Sequence, residues 1–186
     1  IIKPETKDNY ITRFKMINSI REFLNKNGYI EVETPVLQPI YGGANAKPFK
    51  TFHNALDQEF FLRIATELYL KQLIVGGFEK VYEMSKDFRN EGIDRSHNPE
   101  FTMLEFYQAY SDYNFMMDFV EEMFKKIAED LGAKKISWDG NDIDLTKKFA
   151  RKTMDELIKE HTGYSIDLTD RKAVFDVCKK LDLKVK

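Results

Sequence analysis

One cysteine, five prolines and nine glycines stand among 186 residues. A single thiol excludes an internal disulfide framework and a cysteine-built zinc site. Neither sign of charge dominates: 29 Lys and Arg against 31 Asp and Glu leave a net charge of −2. That is not the electrostatic footprint of a stand-alone nucleic-acid binder. No apolar run approaches the roughly 18 residues of a membrane-spanning helix, so no membrane partner is expected. The first residues, Ile1-Ile2-Lys3-Pro4-Glu5-Thr6-Lys7-Asp8, lack the apolar centre of a secretory leader. The expected location is therefore cytoplasmic. There is no initiator Met, and the chain is expected to start within a longer protein. Neither G-x-G-x-x-G nor G-x-x-x-x-G-K-S/T occurs, which removes the common phosphate loops.

What is present is an ordinary globular composition, 42% apolar and 32% charged, with 15 Phe and 9 Tyr to fill a core. At about 150 residues per domain, the length suits one domain with a small appendage. Ile11, Phe14, Ile17, Ile20, Phe23 and Leu24 recur at spacings of three and four, which predicts a helix over 11–27 closed by Gly28. The β-branched run 29–37 predicts a strand, with Pro35 requiring a free side or end. A loop over 38–47 carries Gly42-Gly43. Strands are expected over 49–52 and 59–64, and Thr66 is placed to cap a helix ended by Gly76-Gly77. Two longer strands follow at 80–91 and 100–110, joined by a polar connection. Residues 114–131 form an amphipathic helix. Beyond it come a hairpin with an Asp139-Gly140 turn, a Thr153/Glu156 capping box opening a helix, and a last short helix over 170–181. Hairpin connections favour an α+β fold, an antiparallel sheet flanked by helices, with a small helical appendage at the C-terminal end. The chain divides into 1–134 and 135–186 by character.

The informative stretch is Phe88-Arg89-Asn90-Glu91, a loop, then His97-Asn98-Pro99-Glu100-Phe101-Thr102-Met103-Leu104-Glu105-Phe106-Tyr107. Strand period two puts Arg89 and Glu91 on one face, and Phe101, Met103, Glu105 and Tyr107 on one face of the returning strand. Arginine holds a planar oxyanion bidentately. An aromatic ring beside it can stack on a nucleobase, and Glu with Tyr suits an ammonium. On residues alone the face reads as a site for an anionic nucleotide and a cationic small molecule. A simply solvated hairpin face is the competing explanation.

These residues resemble motif 2 of the class II aminoacyl-tRNA synthetases, F-R-x-E followed after a variable loop by H/R-x-x-x-F. The helix 11–27 and the run Gly28 to Pro35 resemble motif 1, so motif 1 covers about 11–37 and motif 2 about 80–110. Within the class, Gly42-Gly43-Ala44-Asn45-Ala46-Lys47-Pro48-Phe49 and Leu62-Arg63-Ile64-Ala65-Thr66-Glu67-Leu68-Tyr69-Leu70-Lys71 resemble the lysyl-tRNA synthetases. Thr66 stands where many members have Pro.

The resemblance implies roles residue by residue. Arg89 is the expected catalytic group, contacting the α-phosphate of ATP and the amino-acid carboxylate. Phe101 would stack on adenine, Glu91 and Asn98 would contact the adenosine side, and His97 the β- or γ-phosphate. Glu67 would hold the α-ammonium of lysine. Glu105 and Tyr107 would contact the lysine side-chain ammonium, and Gly43 would let backbone approach the amino acid. The implied reaction forms lysyl-adenylate and passes lysine to the 3′ end of tRNA. A homodimer through motif 1 is implied as well.

The family's motif 3 and its anticodon-binding domain are not found among these residues. The chain is therefore expected to be the first half of a catalytic domain with part of the following insertion, and not competent alone. The ligands of Mg2+, which accompanies ATP, are expected outside it, and no metal site within it. Two other readings use the same residues: a lysine ligase acting on a translation factor, and a non-catalytic synthetase-like module for dimerisation or regulation. The loop from Gly42 to Phe49 and the run Asn90 to Asp94 favour the tRNA enzyme over the first. The retained Arg89, Glu91, Phe101, Glu67 and Glu105 argue against the second.

Overall fold

Residues 3–183 are described by a computed structural model; Ile1 and Ile2, at the front of the leader reading, lie outside them. Two compact units are present, Ile1–Thr146 and Lys147–Lys186.

The first unit is built on a long hairpin, β5 (Lys80–Phe88) and β6 (Glu100–Gln108). The pairing is antiparallel from Lys80↔Gln108 to Phe88↔Glu100. Residues opposite one another in such a pair share a face, so the two faces can be read from the register. One face carries Tyr82, Met84, Leu104 and Phe106. It packs under helices α1 (Pro4–Lys26) and α3 (Tyr113–Asp130), where Phe23, Leu24, Tyr29, Tyr82, Phe119 and Met123 form the core. The centre of the Phe119 ring lies 5.0 Å from that of Phe23, 5.2 Å from that of Tyr29 and 5.6 Å from that of Phe106. The other face carries Glu83, Ser85 and Asp87 opposite Glu105, Met103 and Phe101. That division of one sheet into an apolar and a polar face positions the site.

Helix α1 starts at Pro4, ahead of the expected residue 11, because Pro fits a first turn whose amides have no partner. Gly28 ends it with φ of 80°. The strand expected over 29–37 is instead two short ones, β1 (Ile30–Glu31) and β2 (Leu37–Gln38). β1 pairs parallel with β5, whereas β2 pairs antiparallel with β4 (Gln58–Leu62), which also pairs β3 (Lys50–His53). The stretch between them crosses from one sheet to the other. There the Thr34 amide donates to Glu83, and the Thr34 carbonyl accepts from Arg63, so side chains replace the ladder. Pro35 lies in this unpaired crossing, as its missing N–H requires.

Helix α2 (Glu67–Val75) packs on the polar face of the hairpin through buried Leu70. Thr66 precedes it, but with helical φ of −95° and ψ of −7° and no capping bond, contrary to the expected cap. Its hydroxyl is buried near Glu105 but makes no hydrogen bond among the described residues. Hairpin β7 (Lys135–Trp138) and β8 (Asn141–Asp144) turns at Asp139-Gly140, with φ of 50° and 77°, as expected of an Asp-Gly turn.

In the second unit, α4 (Met154–Thr162) opens with the Thr153/Glu156 capping box. Helix α5 (Arg171–Lys180) is capped by Asp170, which accepts from the amides of Lys172 and Ala173. The α+β expectation holds, the sheets being antiparallel apart from β1–β5. Among the described residues no helix is long and apolar enough to cross a membrane.

Candidate active site

The end of the hairpin opens into a cleft of about 360 Å³ lined by Arg89, Glu91, Gly92, Ser96, His97, Asn98 and Phe101. All five residues expected on the nucleotide side are therefore brought together. Arg89 and Glu91 lie just past β5, not within it as expected, because the ladder ends at Phe88. The Arg89 amide donates to the Pro99 carbonyl at 2.9 Å, and the Asn90 amide to Lys47 at 2.7 Å. The second bond ties the Gly42–Phe49 loop to the strand end. The Arg89 guanidinium lies 5.1 Å from the centre of the Phe101 ring and donates through Nε to the Ile64 carbonyl at 3.3 Å. The remaining guanidinium N–H groups form a planar fork suited to an oxyanion.

The connecting loop is organised by Asp94, whose Oδ1 accepts from the amides of Ser96 and His97. Those amides, first that of Ser96, and the His97 ring hold the Asp94 carboxyl below the usual range. His97 is exposed, its Nδ1 2.8 Å from Asp94 Oδ2.

Further along the same face lie the groups expected on the amino-acid side. Tyr107 Oη donates to Glu105 Oε2 at 3.2 Å. Burial raises the pKa of Glu105, as does the charge of Asp87; the Tyr107 hydroxyl and Thr66 oppose this. The Tyr107 phenol is pushed well up, chiefly by burial and then by the charges of Glu105 and Glu67. Glu67 opens α2 and pairs with Lys71 one turn on, at 2.6 Å. Gly43 faces this helix start. Its φ is +86°, and a Cβ there would come within 2.8 Å of Glu67 Cβ and 3.2 Å of Ala65 Cβ. Glycine is needed both for the backbone angle and for this contact.

Beneath both sets lies a buried ionic cluster. Arg63 Nη1 donates to Glu83 Oε1 at 2.6 Å and Nε lies 3.3 Å from Asp87 Oδ1; the three residues are buried. Arg63 also donates to the Lys86 and Thr34 carbonyls. Ser85 donates to Asp87 Oδ1. Desolvation raises the pKa of Asp87, while Ser85 and the charges of Arg63 and Arg89 pull it down. Stepping back by two from Arg89 reaches Asp87, Ser85 and Glu83, so strand periodicity was enough to find this stripe. Nothing in the sequence pairs it with Arg63.

Residues 1–184 match the family model described as tRNA synthetases class II (D, K and N). The chain belongs to this class II synthetase family. The match takes in both the hairpin carrying Arg89 and the helix carrying Glu67. Among curated relatives of the family, the lysine–tRNA ligase of Clostridium botulinum (strain Langeland) is 56% identical over 169 residues, 90% of this chain and 34% of the relative. The lysine–tRNA ligases of Roseiflexus sp. and Thermoanaerobacter pseudethanolicus are each 52% identical, over 99% and 100% of this chain and 39% and 38% of the relatives. The chain thus spans between a third and two-fifths of the class II synthetases it matches.

Proposed function

We propose that this chain is part of a lysine–tRNA ligase, which activates lysine with ATP and transfers it to the 3′ end of tRNA. The observation that carries this reading is one continuous face. It presents a cleft with Arg89 against Phe101 at one end and Glu67, Glu105 and Tyr107 further along. Phe101 stacks on adenine, Glu91 and Asn98 contact the adenosine side, and His97 reaches the β- or γ-phosphate. Glu67 takes the α-ammonium, while Glu105 with Tyr107 takes the side-chain ammonium. A buried ammonium needs carboxylate partners, and a site so built rejects neutral analogues. Gly43 lets backbone approach the amino acid.

The lysine carboxylate oxygen attacks the α-phosphorus in line, and the bond to the leaving pyrophosphate breaks. Arg89 aligns the carboxylate with the α-phosphate and offsets the charge that builds on its oxygens. A tRNA ribose hydroxyl then attacks the activated carbonyl and releases AMP. Mg2+ would travel with ATP. Its ligands are proposed to lie outside these residues. Residues from 135 onward belong to the insertion between motifs 2 and 3, and the cytoplasm is the location. The test is ATP–pyrophosphate exchange with lysine, aspartate or asparagine, on the full natural chain and on these 186 residues. Lysine-only exchange by the full chain and none by the 186 residues is expected. Exchange with aspartate or asparagine would overturn the lysine assignment, and none in either form would leave a non-catalytic module. Exchange without tRNA charging would point to a protein acceptor.

Glu105 makes lysine binding depend on pH. The ammonium selects the ionised carboxylate, so affinity is full above the Glu105 pKa and lost as pH falls through it. Because that pKa is raised by burial, lysine KM should rise at a higher pH than an ordinary carboxylate would give. Glu105→Gln should remove this limb and weaken lysine at neutral pH by at least about tenfold. A KM with the same acid limb in the variant would count against the assignment.

The homodimer rests on α1. Its first half leaves Tyr10 53%, Ile11 39% and Phe14 58% exposed, and Val36 and Leu37 near Pro35 are also exposed. A helix face of this kind is unusual on a monomer. Sedimentation of the full natural chain should give a dimer, and Phe14→Glu should weaken it at least tenfold. A monomer at tens of micromolar would exclude this interface.

A further inference from the structure

We propose that Lys71 is a tethered cation that neutralises the amino-acid pocket when it is empty, and that lysine binds by displacing it. This rests on the lysine reading above.

Lys71 sits one turn along α2 from Glu67. Its Nζ is 2.6 Å from Glu67 Oε1 and 5.9 Å from the centre of the Tyr107 ring. Tyr107 in turn donates to Glu105. The ammonium of Lys71 is therefore satisfied by two of the side chains assigned to the substrate's ammonium groups: a carboxylate at Glu67 and a ring face at Tyr107. The occupant is chemically the same group as the ligand, a primary ammonium on an aliphatic stem.

The arrangement can release as readily as it can hold. The Lys71 side chain is 55% exposed, so a freed ammonium returns to water without a desolvation penalty. A flexible four-carbon stem lets it swing away while α2 stays in place. Gly43 lies against the start of this helix, where an added Cβ would come within 2.8 Å of Glu67 Cβ. Of the two partners Lys71 is the more exposed, at 55% against 32%, and is the one whose release to water is easier.

Two carboxylates with no counter-ion would attract any small cation. A tethered ammonium competes with every ligand that needs Glu67, at the high effective concentration of an intramolecular group. A ligand that engages Glu67, Glu105 and Arg89 together outcompetes it. One that gains from Glu67 alone does not. This raises the threshold for occupancy without adding a contact to lysine, a form of discrimination by built-in competition.

The test is calorimetric binding of lysine and of 6-aminohexanoate to the full natural chain, its Lys71→Met variant and its Lys71→Arg variant. The second ligand keeps the side-chain ammonium and the carboxylate but has no α-ammonium to claim Glu67. Lys71→Met should bind lysine about two- to fivefold more tightly, the range expected from an exposed ion pair one turn apart. Its affinity for 6-aminohexanoate should rise less, because that ligand competes with Lys71 only at the Tyr107 ring and not at Glu67. Lys71→Arg, which keeps a cation, should bind lysine as the natural chain does. Unchanged or weaker lysine binding by Lys71→Met would overturn the proposal; the weaker result would make Lys71 a positioning residue for Glu67. Equal tightening of both ligands would also overturn it, since it would show a general charge effect. Failure of the natural chain to bind lysine at all would defeat the lysine reading itself.

Discussion

If the proposed lysine–tRNA ligase reading holds, replacing Arg89 with alanine in the full natural chain should reduce lysine-dependent pyrophosphate exchange by at least about a thousandfold. The guanidinium is held on two sides, by the Ile64 carbonyl at Nε and by the Phe101 ring. Its free N–H groups are therefore directed before any ligand arrives. Preorganised charge of this kind acts most where charge accumulates, on the oxygens of the phosphorus under attack. The loss should fall mainly on kcat, because the interaction strengthens in the transition state. A thousandfold corresponds to about 4 kcal/mol of barrier. Arg89→Lys should recover little of it. A single ammonium cannot bond carboxylate and phosphate oxygens in one plane. A loss of less than tenfold in Arg89→Ala would remove this residue from the reaction.

The largest effect on stability is expected from the buried ionic cluster. Glu83→Ala should destabilise the protein by about 3–5 kcal/mol, the usual result of stripping one partner from a buried pair. Glu83 accepts from Arg63 at 2.6 Å and from the amide and hydroxyl of Thr34 at 3.2 and 2.6 Å. Three donors would lose this acceptor, and that of Arg63 is buried. One relaxation limits the damage. The charge of Glu83 raises the pKa of Asp87, so its removal favours ionised Asp87 as a remaining partner for Arg63. Glu83→Gln, which keeps an acceptor, should cost less. Thermal unfolding of the two variants and the natural protein checks the order. If Glu83→Ala melts with the natural protein, the cluster contributes nothing to stability.

Cooperation between neighbouring elements explains where the reading of the chain succeeded and where it did not. Helix α3 has an amphipathic stripe and an Asp112 cap accepting from the Phe115 amide, so local chemistry and burial agree. The same holds for α4, whose capping box is complete. Run 29–37 has the composition of a strand, but pairing needs a partner along its whole length. β5 pairs only Ile30 and Glu31, β4 pairs only Leu37 and Gln38, and Thr34 between them is held by Glu83 and Arg63. Thr66 has the chemistry of a cap, yet its hydroxyl is buried near Glu105, far away in sequence. At Thr34 distant side chains take the place of the local preference for a strand.

The site divides along the same line. Arg89, Glu91 and Phe101 were legible because a single hairpin carries them at strand period, whereas His97 and Asn98 were named through the family resemblance. Glu67, Glu105 and Tyr107 could be named from the sequence, but only the packing of α2 on the polar face of β5–β6 brings Glu67 to Tyr107. The Arg63–Glu83–Asp87 cluster and the resting place of Lys71 were decided by tertiary structure alone. Periodicity assigns a residue to a face of its own element. It carries no information about which other element will cover that face, because that choice is made by the burial of the opposite, apolar side.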